Sequence, residues 1–326
     1  MSSPPSAVAP TPRTSGTDAL AGFRRLLHRA APSIGRSLPW VGDQRPWAVL
    51  VSEVMLQQTQ TSRVIEPWQR FLERFPTPSA CADAPLAEVL TLWQGLGYPR
   101  RAKALHDAAG IIQERFGGVV PRDLEDLRSL PGVGEYTAAA VASFAFAQRV
   151  AVLDTNVGRV LARALENRTL ARSEARRLAD ALLPRNDVAL FNQAMLDLGA
   201  QFCRATPHCE ICPVASHCRW RQEGGEDPAP NSAAVSRAQS PYEGSNRQLR
   251  GRVLRALREG PHSEGQLDVT LSDVSAQRRE DVLASLERDG LVTRRGRRVS
   301  LAGSREGTSV GGPLAASDSV VKKGDR

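Results

Sequence analysis

Four cysteines, Cys203, Cys209, Cys212 and Cys218, fall within sixteen residues in the order C-x5-C-x2-C-x5-C. Thiols this close in sequence can surround one centre, and the segment carrying them must then close on itself as a loop. Zinc and iron–sulfur clusters both accept four cysteines. Zinc sites usually use two tight C-x2-C knuckles. Here only Cys209 and Cys212 are that close, which suits a larger cubane, a 4Fe-4S cluster. Pro213, directly after Cys212, keeps the chain from continuing as helix. The fifth cysteine, Cys81, stands alone in a helical stretch and is expected to be a small core residue.

The rest of the chain is consistent with an intracellular protein. No run approaches the eighteen or so apolar residues of a membrane span, and the N-terminus lacks the charged start and apolar core of a signal peptide. Clustered cysteines in that compartment point to a metal centre rather than to disulfides. The net charge of +8 in 326 residues favours a polyanionic partner but says nothing about fold. Nucleic acid, anionic lipid and acidic substrates all fit it. Only Lys103, Lys322 and Lys323 are lysines; the other basic residues are arginines.

Apolar spacings of three and four run from Leu20 to about Trp220 with no long alternating strand, so the main body is expected to be all-α. Residues 1–17, rich in Pro, Ser, Thr and Ala, read as a disordered tail, and 303–326 as another. Residues 222–245 hold Gly, Glu, Asp, Pro, Asn and Ser and read as a linker. In 246–302, Leu249, Val253, Leu254 and Leu257 suggest one helix. Val282, Leu283 and Leu286 suggest another, stopped at Asp289-Gly290. Leu291-Val-Thr and Arg298-Val-Ser-Leu301 suggest two strands around Gly296. Helices followed by a small hairpin are winged-helix-like, a form that serves DNA contact in some proteins and protein contact in others.

Leu130-Pro-Gly-Val-Gly134 joins two helical stretches. The first is marked by Leu124, Leu127 and Leu130, and the second is the Ala-rich run from Thr137 to Phe146. Glycines in such a turn leave backbone N–H groups at a helix N-terminus, where a phosphate oxygen can bind. An ordinary helix–helix turn has the same signature. The turn is accompanied by Leu38-Pro-Trp40, Ser52-Glu-Val-Met-Leu-Gln-Gln-Thr59, Gly95-Leu-Gly-Tyr98, Leu153-Asp154 with Asn156-Val157, Phe191-Asn-Gln-Ala-Met-Leu-Asp-Leu-Gly199 and the cysteine loop. In that order, over about residues 20 to 220, these pieces resemble the helix-hairpin-helix DNA glycosylases of base excision repair, and among them the adenine DNA glycosylases. The run from Ser52 to Thr59 is the most specific of them.

The resemblance implies a glycosylase core over 18–221: a six-helix barrel at about 46–150, and a cluster domain from 18–45 plus 151–221 holding a 4Fe-4S cluster on the four cysteines. It implies hydrolysis of the N-glycosidic bond of adenine mispaired with 8-oxoguanine or guanine in double-stranded DNA, by a cytoplasmic, nucleoid-associated enzyme that is expected to be a monomer. Adenine leaves poorly unless protonated, and the developing oxocarbenium sugar needs a negative neighbour. One protonated acid and one ionised carboxylate are therefore called for. Glu53 sits on a helix with apolar face Trp47, Leu50, Val51, Val54 and Met55, and helical spacing puts Glu53, Gln57 and Gln60 on another face. From spacing alone that is a solvated face; by resemblance Glu53 is the acid. Asp154 reads as a helix N-cap; by resemblance it stabilises or transiently attacks the sugar, supported by Asn156. Burial is expected to raise the pKa of Glu53 and to leave Asp154 alone.

By resemblance Tyr136 supports this pair. It stands where the endonuclease III branch carries a Schiff-base lysine, so a monofunctional glycosylase is expected. The target base must be flipped out of the duplex, and by resemblance Gln57 or Gln58 and Tyr98 work around the opened pair. Gly132 and Gly134 would hold the backbone. Arg100 and Arg101 are candidates for phosphate contact, with surface solvation the equal alternative.

Three features depart from the family pattern. The first cysteine interval is one residue short, Pro99 replaces a frequent second tyrosine, and 246–302 does not resemble the Nudix-like domain that usually recognises 8-oxoguanine. Two other readings stand beside this one: an endonuclease III-like glycosylase/lyase on oxidised pyrimidines, and a non-enzymatic iron–sulfur DNA-binding regulator.

Overall fold

Ten of the helices position the site and the C-terminal unit: α1 (Gly16–Ile34), α2 (Pro46–Leu56), α3 (Arg100–Phe116), α4 (Leu124–Ser129), α5 (Glu135–Phe146), α6 (Thr155–Val160), α7 (Val188–Gln201), α8 (Asn246–Arg258), α9 (Glu264–Thr270) and α10 (Ala276–Arg288). The computed structural model describes residues 16–232, 235 and 241–304. Most of both expected tails, and positions 233, 234 and 236–240 of the expected linker, lie outside those residues. Between 16 and 232 the described chain is helical, without a β-strand. No described helix is long and apolar enough to cross a membrane.

The described residues divide into two units, one drawn from 1–53, 120–129 and 133–239, the other from 54–119, 130–132 and 240–326. The first is built on one apolar cluster. Phe23, Leu27 and Ile34 of α1 meet Val157 and Val160 of α6, and Phe191, Met195 and Leu198 of α7. Burying one such side chain contributes about 1.5–3 kcal/mol. Alanines at 138, 139, 140 and 142 leave α5 with almost no exposed surface there, because small side chains admit close neighbours. The end of α1 is fixed to α7 by an ion pair: Arg36 Nε donates to Asp197 Oδ1 at 2.6 Å, and Asp197 is fully buried.

In the second unit Phe71 lies edge-on to Phe75 (centroids 5.0 Å apart) and to Trp93 (6.3 Å), the geometry aromatic quadrupoles favour. Cys81 is fully buried, and burial pushes its thiol pKa up to about 12, as suits an inert core residue.

The C-terminal segment belongs to this second unit rather than standing apart. Ser245, Ser263 and Ser275 cap α8, α9 and α10, each accepting a backbone N–H within the first turn. Leu249, Val253, Leu257, Leu267, Val282, Leu286, Val299 and Leu301 form its interior. Strands β1 (His262–Ser263), β2 (Val292–Arg295) and β3 (Arg298–Leu301) make an antiparallel sheet in the order β1-β3-β2, with Val292 opposite Leu301 and Arg295 opposite Arg298. Helix–strand–helix–helix–hairpin is the element order of a winged helix. The hairpin matches the sequence expectation. Strand β1, two residues long, and α9 carry too little periodicity to be read from sequence.

Two expectations need correction. The first places Gln57 and Gln60 on the Glu53 face of a continuing helix. In fact α2 ends at Leu56, and Gln58 turns the chain at φ +56°. The second takes 222–245 as free linker. Ala229 and Ser232 are buried, and Asp227 pairs with Arg163 at 2.6 Å, so 227–232 packs onto the first unit.

Candidate active site and cysteine loop

Apolar side chains occupy most of the surface of α2, so the one carboxylate among them enters the interior. Trp47 to Met55 are all buried, and Glu53 is only 5% exposed. Its Oε2 is buried with no hydrogen-bond partner. Burial pushes the Glu53 pKa up to about 7; a hydrogen bond from Tyr136 opposes the shift, and the nearby Asp154 charge adds to it. At neutral pH this carboxyl is therefore partly protonated. A buried acid lacking one partner is set to give its proton to an incoming base.

Asp154 is held differently. It caps α6, accepting the Val157 N–H on Oδ1 at 2.8 Å, and the Asn156 amide donates to Oδ2 at 2.6 Å. Burial raises its pKa as well, so the expectation that Asp154 is unperturbed is not met. The donors from Val157 and Asn156 oppose that rise, because hydrogen bonds to the charged form favour ionisation. Burial likewise drives the Tyr136 hydroxyl well above its ordinary range, with the Glu53 and Asp154 charges adding to the effect. Tyr136 is thus a neutral donor.

Asn156 is itself fixed. Arg159 Nη2 donates to its Oδ1 at 2.7 Å and to Gly199 O at 3.0 Å, while Arg159 Nε reaches Cys203 O at 2.7 Å. Gly199 is required here. A Cβ would meet the Asn156 carbonyl oxygen at 2.6 Å and its carbonyl carbon at 2.7 Å.

The four cysteines of the loop line one cavity with Val160, Ala164, Leu198, Phe202, Val214 and Trp220. Among the described residues no group of three His, Cys, Asp or Glu is drawn together as for a single metal ion. Arg163, 1% exposed, lies beneath the loop. It donates to Arg204 O at 2.6 Å and Ala205 O at 3.1 Å, lies 3.5 Å from Cys203 Sγ, and its guanidinium carbon is 5.4 Å from the Trp220 ring centroid. Burial pushes the thiols of Cys203, Cys212 and Cys218 up, that of Cys212 to about 11.

Residues 51–185 match the family model of the HhH-GPD superfamily base excision DNA repair protein. The chain is 48% identical over 268 residues to the adenine DNA glycosylase of Mycobacterium tuberculosis (strain CDC 1551 / Oshkosh), covering 79% of this chain and 86% of that one. It is 47% identical over 282 residues to the adenine DNA glycosylase of Mycolicibacterium smegmatis, covering 83% and 93%. The chain belongs to the adenine DNA glycosylases. Among solved structures it resembles a thermostable thymine-DNA glycosylase, with TM-score 0.59, 26% identity, and coverage of 63% of this chain and 98% of that one.

In this glycosylase the glycine-rich loop and the turn after α2 share one clamp. Gly95, Gly97 and Tyr98 all have positive φ, at +86°, +72° and +46°. Arg101 secures them. Its Nη1 donates to Val54 O at 2.8 Å and Met55 O at 2.9 Å, and its Nη2 to Thr59 Oγ1, Leu96 O and Gly97 O at 2.9–3.1 Å. Burial lowers its pKa to about 10. Arg101 is therefore a structural clamp and not a phosphate contact. Arg100 pairs with Asp289 at 3.5 Å. Lys103 pairs with Asp107 on its own helix at 2.6 Å. Gln57 Nε2 donates to Gly132 O at 3.1 Å. Gly132 has φ +77°, and a Cβ there would meet Ala104 Cβ at 2.9 Å. Gly134 is extended and precedes α5 as its N-cap. Arg247 of α8 donates to the Tyr98 hydroxyl at 2.6 Å, with its guanidinium carbon 5.7 Å from that ring's centroid.

Arg36, Arg159 and Arg163 escape the sequence reading, and Gly199 enters it only as the end of a matched run. Arginines 159 and 163, four apart in an otherwise apolar run, are a signal that could reveal two of them, since a buried charge there must have partners.

Proposed function

We propose that this enzyme removes adenine opposite 8-oxoguanine or guanine from double-stranded DNA by acid-assisted hydrolysis, without a lysine nucleophile. Base excision repair and adenine are the family's province. The mispair and the residue roles are our reading. One observation carries it: a buried Glu53 with a pKa near 7, one oxygen unpartnered, hydrogen-bonded by Tyr136 and close to Asp154.

Glu53 donates its proton to a ring nitrogen of the flipped adenine, which makes the base a competent leaving group. Asp154, whose carboxylate accepts two hydrogen bonds that favour its ionised form, faces the developing oxocarbenium charge. Asn156 orients Asp154, and Tyr136 orients Glu53. Backbone N–H groups at Gly132 and Gly134 take a phosphate, while Gln57, Gln58 and Tyr98 border the vacated position. Lys103, already ion-paired, supplies no Schiff base.

Cys203, Cys209, Cys212 and Cys218 would hold a 4Fe-4S cluster. The donor set suits it: four thiols line one cavity, with buried thiol protons that metal binding displaces. The cluster would supply a fixed scaffold for the loop. Within the chain, 18–221 forms the catalytic core and 246–302 a winged-helix-like element that shares a unit with 54–119, in a monomer of the cytoplasm and nucleoid.

The test is single-turnover release on three duplexes: adenine opposite 8-oxoguanine, adenine opposite guanine, and thymine glycol. Adenine release on the first two with no borohydride-trapped adduct is expected. Activity on thymine glycol alone, with an adduct, would overturn the reading.

A further inference from the structure

The C-terminal unit ends in a hairpin carrying Arg294, Arg295, Arg297 and Arg298 around Gly296, with no acidic residue from Leu291 to Ala302. Arg294 is neutralised by Glu280, with N–O distances of 2.8 and 2.7 Å. Arg295, Arg297 and Arg298 are exposed. The strand register sets Arg295 directly opposite Arg298, and two like charges so placed repel. An isolated fold gains nothing from that arrangement; an anionic ligand along the hairpin does.

The third helix offers the opposite picture. In helix-turn-helix proteins the recognition helix supplies base contacts from its N-terminal residues. Here α10 is charge-balanced, with Arg278, Arg279 and Arg288 set against Glu280, Asp281 and Glu287. Its first polar side chains are engaged within the protein. Arg278 donates to Gly244 O at 2.5 Å and Asn246 Oδ1 at 3.1 Å. Arg279 holds Asp268 at 2.9 Å and Val274 O at 2.8 Å, and Gln277 donates to Asp281 at 3.0 Å.

We propose that the C-terminal unit contacts duplex DNA through this hairpin, with Arg295, Arg297 and Arg298 on backbone phosphates, and not through α10. The hairpin is fixed relative to the Tyr98 loop. Gly303, just beyond β3, lies so close to Leu86 that a Cβ would meet its backbone nitrogen at 3.0 Å. Arg250 binds Asp289 at 2.5 Å, and Arg247 holds Tyr98. The proposal rests on the reading that Tyr98 borders the opened pair. The duplex then extends from a point to which the hairpin is rigidly tied. Guanidinium groups bind phosphate with two parallel hydrogen bonds.

The experiment measures affinity of the full chain for a duplex with a non-cleavable adenine nucleotide opposite 8-oxoguanine, between 50 and 200 mM salt. Each phosphate contact contributes about 0.9 to the slope of log affinity against log salt. Arg295→Ala, Arg297→Ala and Arg298→Ala together are expected to flatten the slope by about 2 to 3. The adenine release rate at saturating enzyme should stay within about twofold. The triple lysine variant is expected to keep most of the slope. If the triple alanine variant does not fold, the single variants read the same effect at about 0.9 each. An unchanged slope in the alanine variants overturns the proposal, as does a loss of release rate at saturation. A wild type that binds with this slope yet releases no adenine would instead sink the functional reading and leave the hairpin contact standing.

Discussion

The surroundings of Glu53 and the hairpin around Gly296 use charge in opposite ways. Glu53 is one carboxylate in a helix buried on nearly all sides, and its acidity is set by what has been removed from around it: water, and a partner for Oε2. The hairpin's Arg295, Arg297 and Arg298 are exposed instead. Chemistry at one atom needs a displaced pKa, which only burial and fixed neighbours supply. Tracking a polyanion needs exposed charge, whose effect is additive and screened by salt. A substitution in the first region should therefore change rate at fixed binding, and one in the second should change binding at fixed rate.

The largest expected effect is that of Glu53→Gln. Loss of the general acid should lower the single-turnover rate by about 10² to 10⁴, with DNA affinity nearly intact. The same variant should be more stable above neutral pH. The folded pKa of Glu53 is raised from 4.5 to about 7, so its ionisation opposes folding. Stability associated with the neutral form is present below pH 4.5 and lost as pH rises through 7. The shift corresponds to about 3 kcal/mol at most, so Glu53→Gln should raise Tm at pH 8 and lose that advantage near pH 5. Equal Tm values at both pH values would contradict burial as the cause.

Next in size is Gly199→Ala. The added Cβ must displace the Asn156 backbone and with it one donor to Asp154. A rate loss of about 10²-fold is expected, the scale on which small misplacements act. Measurement of single-turnover rate beside DNA affinity would separate this from a general loss of fold. Arg36→Met should destabilise the protein by about 3 kcal/mol, because it removes the cationic partner of a fully buried Asp197; denaturant titration reads this directly. Smaller still is Tyr98→Phe, which keeps the ring but removes the acceptor for Arg247. A severalfold loss of DNA affinity, not further increased by adding Arg247→Met, is expected from a shared contact.

What sequence revealed and what it hid divides along chain distance. The cysteine spacing, the Leu130 to Gly134 hairpin, the cap at Asp154 and the C-terminal β2–β3 hairpin are local patterns, and local patterns survive in one dimension. The depth of Glu53 was not local. Spacing alone put it on a solvated face, and only the resemblance of the Ser52 to Thr59 run pointed inward. The clamp made by Arg101 is neither of the roles its sequence suggests, because phosphate contacts, solvated surface residues and buried carbonyl clamps use the same guanidinium. Arg159 reaches Gly199 and Cys203 across 40 and 44 positions, and Arg36 reaches Asp197 across 161. Nothing in the neighbouring sequence announces such pairings. The stretch 227–232 reads as linker because its anchors are a single ion pair and three buried residues, Pro228, Ala229 and Ser232, not an apolar run.

The pH profile of adenine release under single-turnover conditions, with enzyme saturating, tests the central claim most directly. Glu53 must be protonated to act, so the account predicts a rate that falls about tenfold per pH unit above a point near 7, with the remaining activity of Glu53→Gln independent of pH over that range. A wild-type rate that stays flat to pH 9 would contradict Glu53 as the acid.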